Sequence, residues 1–217
     1  MCSEGGDAAG RVRFTSALAR LKHDGGSILV VGETDAAHIA ACTRLQGDDR
    51  QDRQRVVVQT DNPVVPTAVH APDVTNLRYP SHNAEQASYE SDVDSSVRPA
   101  TTAAQLQEQL SYEMTRTANT PGGDRETGVR ICFDAVTGLR DHHDERELFQ
   151  LLDAVTTEIR AGKGMGHFHL LEPFDDELVE MLCPLFDAIL DLREEDDSIQ
   201  QRWWLAATES WTEWLSL

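Results

Sequence analysis

Four consecutive apolar residues, Ile28 to Val31, run into Gly32, a short polar loop and an Ala-rich segment that closes at Gly47. An unbroken apolar run of this kind is the pattern of a strand covered on both faces, as in a parallel sheet. Thr34 or Asp35 is placed to cap a helix from about Ala36 to Leu45. Ahead of this unit, Val12 to Lys22 sets Phe14, Ala17, Leu18 and Leu21 on one helical face and stops at Gly25-Gly26. Behind it, Arg55–Gln59 repeats the buried-strand pattern and ends in a turn signal, Thr60-Asp61-Asn62-Pro63.

Thr75–Tyr79 predicts a third, short strand, and Thr102–Met114 a helix with Leu106 and Leu110 on its apolar side. Between them, Ser81–Ala100 is rich in Ser, Asp, Glu and Ala with little periodicity, which predicts a solvated loop or a disordered insert. Asn119–Gly128 predicts another loop. Order resumes at a strand, Val129–Phe133, with Asp134 at its end and a turn through His142-His143. Asp144 and Glu147 have the spacing of a capping box, and the helix behind them places Leu148, Leu151, Leu152, Val155 and Ile159 on one stripe ending at Gly162. Gly166–Leu171 predicts a strand, and Asp175-Asp176 starts a helix carrying Leu178, Met181, Leu182 and Leu185. Ala188–Arg193 and Gln201–Ala206 predict a closing hairpin joined by the acidic stretch Glu194–Ser198. Strands alternating with helices predict a single α/β domain over residues 1–217, with the insert at about 81–100: a mostly parallel sheet flanked by helices, with a C-terminal antiparallel hairpin.

The turn at Gly32 raises a chemical question. A loop of the form GxxxxGK[ST] cradles phosphate with backbone N–H groups, while its lysine reaches the outer phosphates and its hydroxyl holds Mg²⁺. Counting from Gly32, the second glycine falls on Ala37, the lysine on His38 and the hydroxyl on Ile39. The strand-to-helix turn is kept and the phosphate chemistry is not. The candidate residues of such a vestigial nucleotide site are Gly32, Glu33, Thr34, His38 and Asp134, the last as a cation ligand.

The second half carries a resemblance. VRICFDAVTGL has the apolar-run-then-Asp form of a Walker B strand, followed by an amphipathic helix, the strand GHFHLL, and FDAILDLRE paired with RWWLA. This order, over most of Gly25 to Ala206, resembles the RecA/KaiC-like ATPases. The resemblance implies a degenerate phosphate loop at Gly32, a Walker B position at Asp134 and a lone carboxylate, Asp61, after the second strand. With lysine and hydroxyl missing, it implies no catalytic residues, no required cofactor, weak nucleotide or anion binding, and a regulatory or scaffolding role. Two alternatives stand beside it: an ATPase-like nucleotide sensor acting through Asp134, and a metal-dependent enzyme around His167 and His169. More closely, Val30–Glu33, Ala40–Asp48, Arg130–Asp134 and Gly164–Leu170 resemble patterns of an uncharacterised haloarchaeal family described as Htr-like. That likeness implies signalling and a protein partner.

Charge agrees with a halophilic origin. The net charge is −19, from 38 acidic and 19 basic residues dispersed along the chain. Such a surface repels nucleic acid and anionic lipid, and suits solubility in molar salt. No run reaches the roughly 18 apolar residues of a membrane span, and the N-terminus lacks the apolar core of a signal peptide. The expected location is therefore the cytoplasm, with self-association left open.

The four cysteines, Cys2, Cys42, Cys132 and Cys183, form no CxxC pair; Cys42 and Cys132 sit in apolar contexts and are expected as reduced, buried small hydrophobes. His167 and His169 stand at i and i+2 on a strand, hence on one face, a spacing that suits Zn²⁺ or another transition metal. His142, His143 or Asp134 would have to complete the ligand set; otherwise the two form a partly buried hydrogen-bonded pair. Trp203 and Trp204 face opposite sides of their strand, while Trp211, Trp214 and Leu215 share a face if Glu209–Leu217 is helical, either docked on the domain or forming a partner surface.

Overall fold

The computed structural model describes residues 8–47, 54–60, 63–65, 74–79, 97–118, 129–140, 143–196 and 198–217, with side chains from Phe14 onward apart from Lys22 and Val97. The elements run α1 (Ala8–Asp24), β1 (Gly26–Val31), α2 (Asp35–Gln46), β2 (Arg55–Gln59), β3 (Val74–Arg78), β4 (Val97–Pro99), α3 (Ala103–Ala118), β5 (Arg130–Asp134), α4 (Val136–Arg140), α5 (Glu145–Ala161), β6 (Met165–Leu170), α6 (Glu177–Leu182), β7 (Ala188–Glu195), β8 (Ser198–Leu205), β9 (Ser210–Trp211) and β10 (Leu215–Ser216). The described strands form one sheet in the order β10-β8-β7-β1-β6-β5-β2-β3-β4, with β9 on β8. From β7 to β4 all neighbours are parallel; β8 runs antiparallel to β7, and β9 and β10 antiparallel to β8. This is the α/β architecture expected from the sequence: a mostly parallel sheet flanked by helices, closed by a C-terminal antiparallel hairpin.

The apolar run at Ile28–Val31 divides between two cores because successive side chains leave a strand on opposite faces. Leu29 and Val31 join Phe133, Phe168, Leu106, Leu110, Leu148, Leu152 and Ile159 on the face covered by α3 and α5. Ile28 and Val30 join Ala37, Ala41, Leu190 and Trp203, with Phe14 and Leu18, on the face covered by α1 and α2. The capping box forms as the sequence predicts: Asp144 accepts from the Glu147 N–H at 2.8 Å and the Glu147 carboxylate accepts from the Asp144 N–H.

Three expectations need correction. The stretch Ser81–Ala100 is not irregular to its end, since Val97–Pro99 pairs with β3 and Ala100 is buried; residues 81–96 lie outside the described set, as do 119–128. The acidic stretch Glu194–Ser198 belongs largely to the two strands, since β7 runs to Glu195 and β8 starts at Ser198, with Asp196 in a turn at φ 48°. The segment from Glu209 is not a helix: it supplies β9 and β10. The free edge of β8 explains this, because the Thr212 N–H donates to the Trp203 carbonyl at 2.8 Å and the Leu217 N–H to Ile199 at 3.0 Å, bonds that a helix would leave unmade. No described helix is long and apolar enough to cross a membrane.

Stability should depend on screening. With a net charge of −19, the melting temperature measured by scanning calorimetry is expected to rise steeply from low salt to molar KCl, since self-repulsion is screened within about 3 Å at 1 M. A melt indifferent to salt would remove the link between charge and salt adaptation.

Candidate functional site

The Gly25–Gly47 unit folds as strand, turn and helix. Thr34 caps α2, accepting from the Ala37 N–H at 3.4 Å, and donates its hydroxyl proton to Glu194 at 2.8 Å. Glu33 is exposed. Gly32 cannot be replaced freely: a Cβ there would stand 3.0 Å from Leu192 Cβ and 3.1 Å from the Leu192 carbonyl oxygen. Its amide donates to the Glu172 carbonyl at 2.9 Å, so this N–H is spent inside the protein.

His38 occupies the position of the missing lysine and turns inward. It is fully buried, with Nε2 3.1 Å from the Gly32 carbonyl oxygen and Nδ1 2.9 Å from Nδ1 of His169. Burial, with His169 adding to it, pushes its pKa down to about 3, so the imidazole is neutral. A carbonyl only accepts, so the His38 proton sits on Nε2 and Nδ1 carries the lone pair. His169 must then donate from Nδ1, and the ring nitrogen it has left is Nε2. That nitrogen is buried and has no hydrogen-bond partner.

Asp134 is 1% exposed, and its two oxygens accept the N–H groups of Val64 (3.2 Å) and Val65 (2.6 Å) in the loop after β2. Burial raises its pKa to about 6 in spite of those bonds. It therefore anchors a loop. Asp61 and His142 lie outside the described residues. His143 faces Glu147 at 3.5 Å, and Asp134 stands among loop amides, so neither completes a ligand set with His167 and His169.

Different residues do so. Cys132 on β5 stands opposite His167 on β6, and His169 lies two residues further along the same face. The helix α2 covers that face and brings down His38, Cys42 and Gln46, one turn apart. One donor atom each from Cys42, Cys132, His167 and His169 lies within 4.8 Å of all the others. Cys42 Sγ is 3.5 Å from Cys132 Sγ and 3.4 Å from His167 Nε2, and it accepts from Gln46 Nε2 at 3.2 Å. The four residues are between 0 and 2% exposed. A hydrogen bond from Cys132, aided by His167, holds the Cys42 thiol well below the usual thiol range against the opposing effect of burial. Burial, reinforced by Cys42, pushes the Cys132 thiol up, and burial pushes His167 down.

The sequence located the histidines and missed both cysteines. Their separations along the chain, Cys42 to Cys132 to His167, resemble no metal-binding spacing; only the β5–β6 register and the docking of α2 join them. The signal available was a polar stripe, His38, Cys42 and Gln46, on an otherwise Ala-rich buried helix face.

Fold and site thus define an α/β protein with a mostly parallel sheet, whose strand-to-helix turn at Gly32 is tied to a buried thiol–imidazole cluster. The chain belongs to the family of unknown function DUF7504, which matches residues 25–192. No curated protein matches it at a significant level. Among solved structures it is similar to an uncharacterized protein from Pyrococcus horikoshii in complex with an unknown peptide, at 10% identity and a TM-score of 0.53, with 83% of each chain covered. That likeness concerns the fold.

Proposed function

We propose that the chain is a non-catalytic RecA/KaiC-like domain that acts as a regulatory or scaffolding protein in haloarchaeal signalling. The observation that carries this reading is the inward turn of His38. The residue at the lysine position bonds the Gly32 carbonyl and His169, and it offers no cation to a phosphate. The neighbouring groups are committed too: the Gly32 amide to Glu172, Thr34 to its cap and Glu194, and Asp134 to Val64 and Val65. A triphosphate would have to break these bonds to enter, without the lysine and hydroxyl that compensate elsewhere. The peptide bound to the Pyrococcus protein is in keeping with a protein partner for this fold.

The test is calorimetric titration with Mg-ATP in molar KCl beside a phosphate-release assay. Affinity weaker than about 10 µM, near −7 kcal/mol, and no release above buffer are expected. Tighter binding, or release abolished by Asp134→Asn, would replace this reading with the nucleotide-sensing alternative.

A further inference from the structure

We infer that Cys42, Cys132, His167 and His169 form a closed, structural Zn²⁺-class site that pins α2 to the centre of the sheet. The inference does not depend on the regulatory reading.

The donor set fits the ion. Two thiolates and two neutral imidazoles are the ligands of tetrahedral structural zinc. With bonds of about 2.3 Å to sulfur and 2.0–2.1 Å to nitrogen, tetrahedral ligand atoms stand roughly 3.3–3.8 Å apart. The 3.5 Å Cys42–Cys132 and 3.4 Å Cys42–His167 separations fall in that range. Charge also fits: a dication with two thiolates is neutral overall, which a buried site requires. The unpartnered Nε2 of His169 is the independent sign of a ligand. A buried imidazole nitrogen without a partner is costly, and with Nδ1 engaged by His38 it is the atom of His169 left to bind an ion. His38 plays the part that outer carboxylates or carbonyls play at zinc sites: it accepts from the far nitrogen of a ligand histidine and fixes its orientation. Through its Nε2–H, the same residue carries that order to the Gly32 carbonyl, so the metal also fixes the turn where a phosphate loop would open.

Four protein ligands, all buried, leave no position for a reacting water. The ion therefore holds structure and does no hydrolysis, which separates this site from a metal-dependent enzyme around His167 and His169 alone. Its effect is to join α2, β5 and β6, elements that the chain connects only through long excursions.

The experiment uses the full chain, expressed without a histidine tag in zinc-supplemented medium and purified in molar KCl. Elemental analysis is expected to give about one zinc per chain. Exchange for Co²⁺ is expected to give the intense ligand-field bands of tetrahedral cobalt and a thiolate-to-cobalt charge-transfer band, which require no variant. Cys42→Ala and Cys132→Ala should each abolish the charge-transfer signature of two sulfurs and lower metal content, whereas Cys183→Ser, half-buried and outside the cluster, should change neither. His38→Leu keeps all four ligands but frees His169 Nδ1. It is expected to keep the tetrahedral cobalt spectrum and to weaken zinc 10–100-fold in competition with a chromophoric chelator. Folded wild-type chain that takes up neither Zn²⁺ nor Co²⁺ would overturn the site. So would an octahedral cobalt spectrum without a thiolate band, metal content unchanged in both cysteine variants, or a Cys42–Cys132 disulfide found by mass spectrometry in protein kept under reducing buffer.

Discussion

Phe168→Ala is expected to lower the unfolding free energy by about 3–5 kcal/mol, the range for removing a fully buried aromatic ring. Phe168 is 0% exposed on β6, the strand held between β1 and β5. Its ring stacks on Phe133 at 4.9 Å between centroids and meets Phe186 edge-on at 5.1 Å. Those neighbours sit on β5 and just before β7, so they are fixed by the sheet and cannot close over the void. In a chain of this size the loss corresponds to a fall in melting temperature of roughly 10 °C. Denaturant unfolding at fixed molar KCl measures it. Because Phe168 faces α5 while His167 and His169 face α2, the metal content of the folded variant should be unchanged. A loss under about 1 kcal/mol would mean that this face of the sheet is not packed as described.

Truncation after Ala206 is expected to destabilise the domain by several degrees and to make it self-associate. The tail is docked: Arg202 lies 4.5 Å from the Trp211 ring centroid and 4.6 Å from that of Trp214, and Trp211 meets Phe174 at 4.8 Å. Trp211 is still 36% exposed and Leu215 49%, so the burial lost is partial and the expected cost is about 2–4 kcal/mol, below that of full burial of the same side chains. The second effect comes from the backbone. Without β9 and β10, the outer edge of β8 presents unpaired N–H and C=O groups, which recruit another strand. Calorimetry and light scattering read the two effects separately. An unchanged melt with loss of a captured protein partner would instead assign the tail to a binding surface.

Much of the fold was legible in local patterns. Buried parallel strands announce themselves as unbroken apolar runs, and Ile28–Val31, Arg55–Gln59 and Val129–Phe133 each fall on an observed strand or within a residue of one. The capping box at Asp144 and the stripe of α5 depend only on neighbours three or four residues away, so they form as written. The tail misled because Trp211, Trp214 and Leu215 satisfy a helical spacing as well as a strand. The free edge of β8, far away in sequence, decided between the two.

The site divides in the same way. The sequence by itself determined that the Gly32 turn lacks the groups that hold a triphosphate, because those groups are adjacent residues and their absence can be read directly. It also determined that His167 and His169 share a face, because a strand has a period of two. Only the tertiary structure decided that Cys42 and Cys132 meet them, that Asp134 is spent on loop amides, and that His38 points into the protein. Each of these depends on strand register and on how one helix lies across the sheet. Register and helix docking are set by the packing of the whole core, and no local run of residues encodes them.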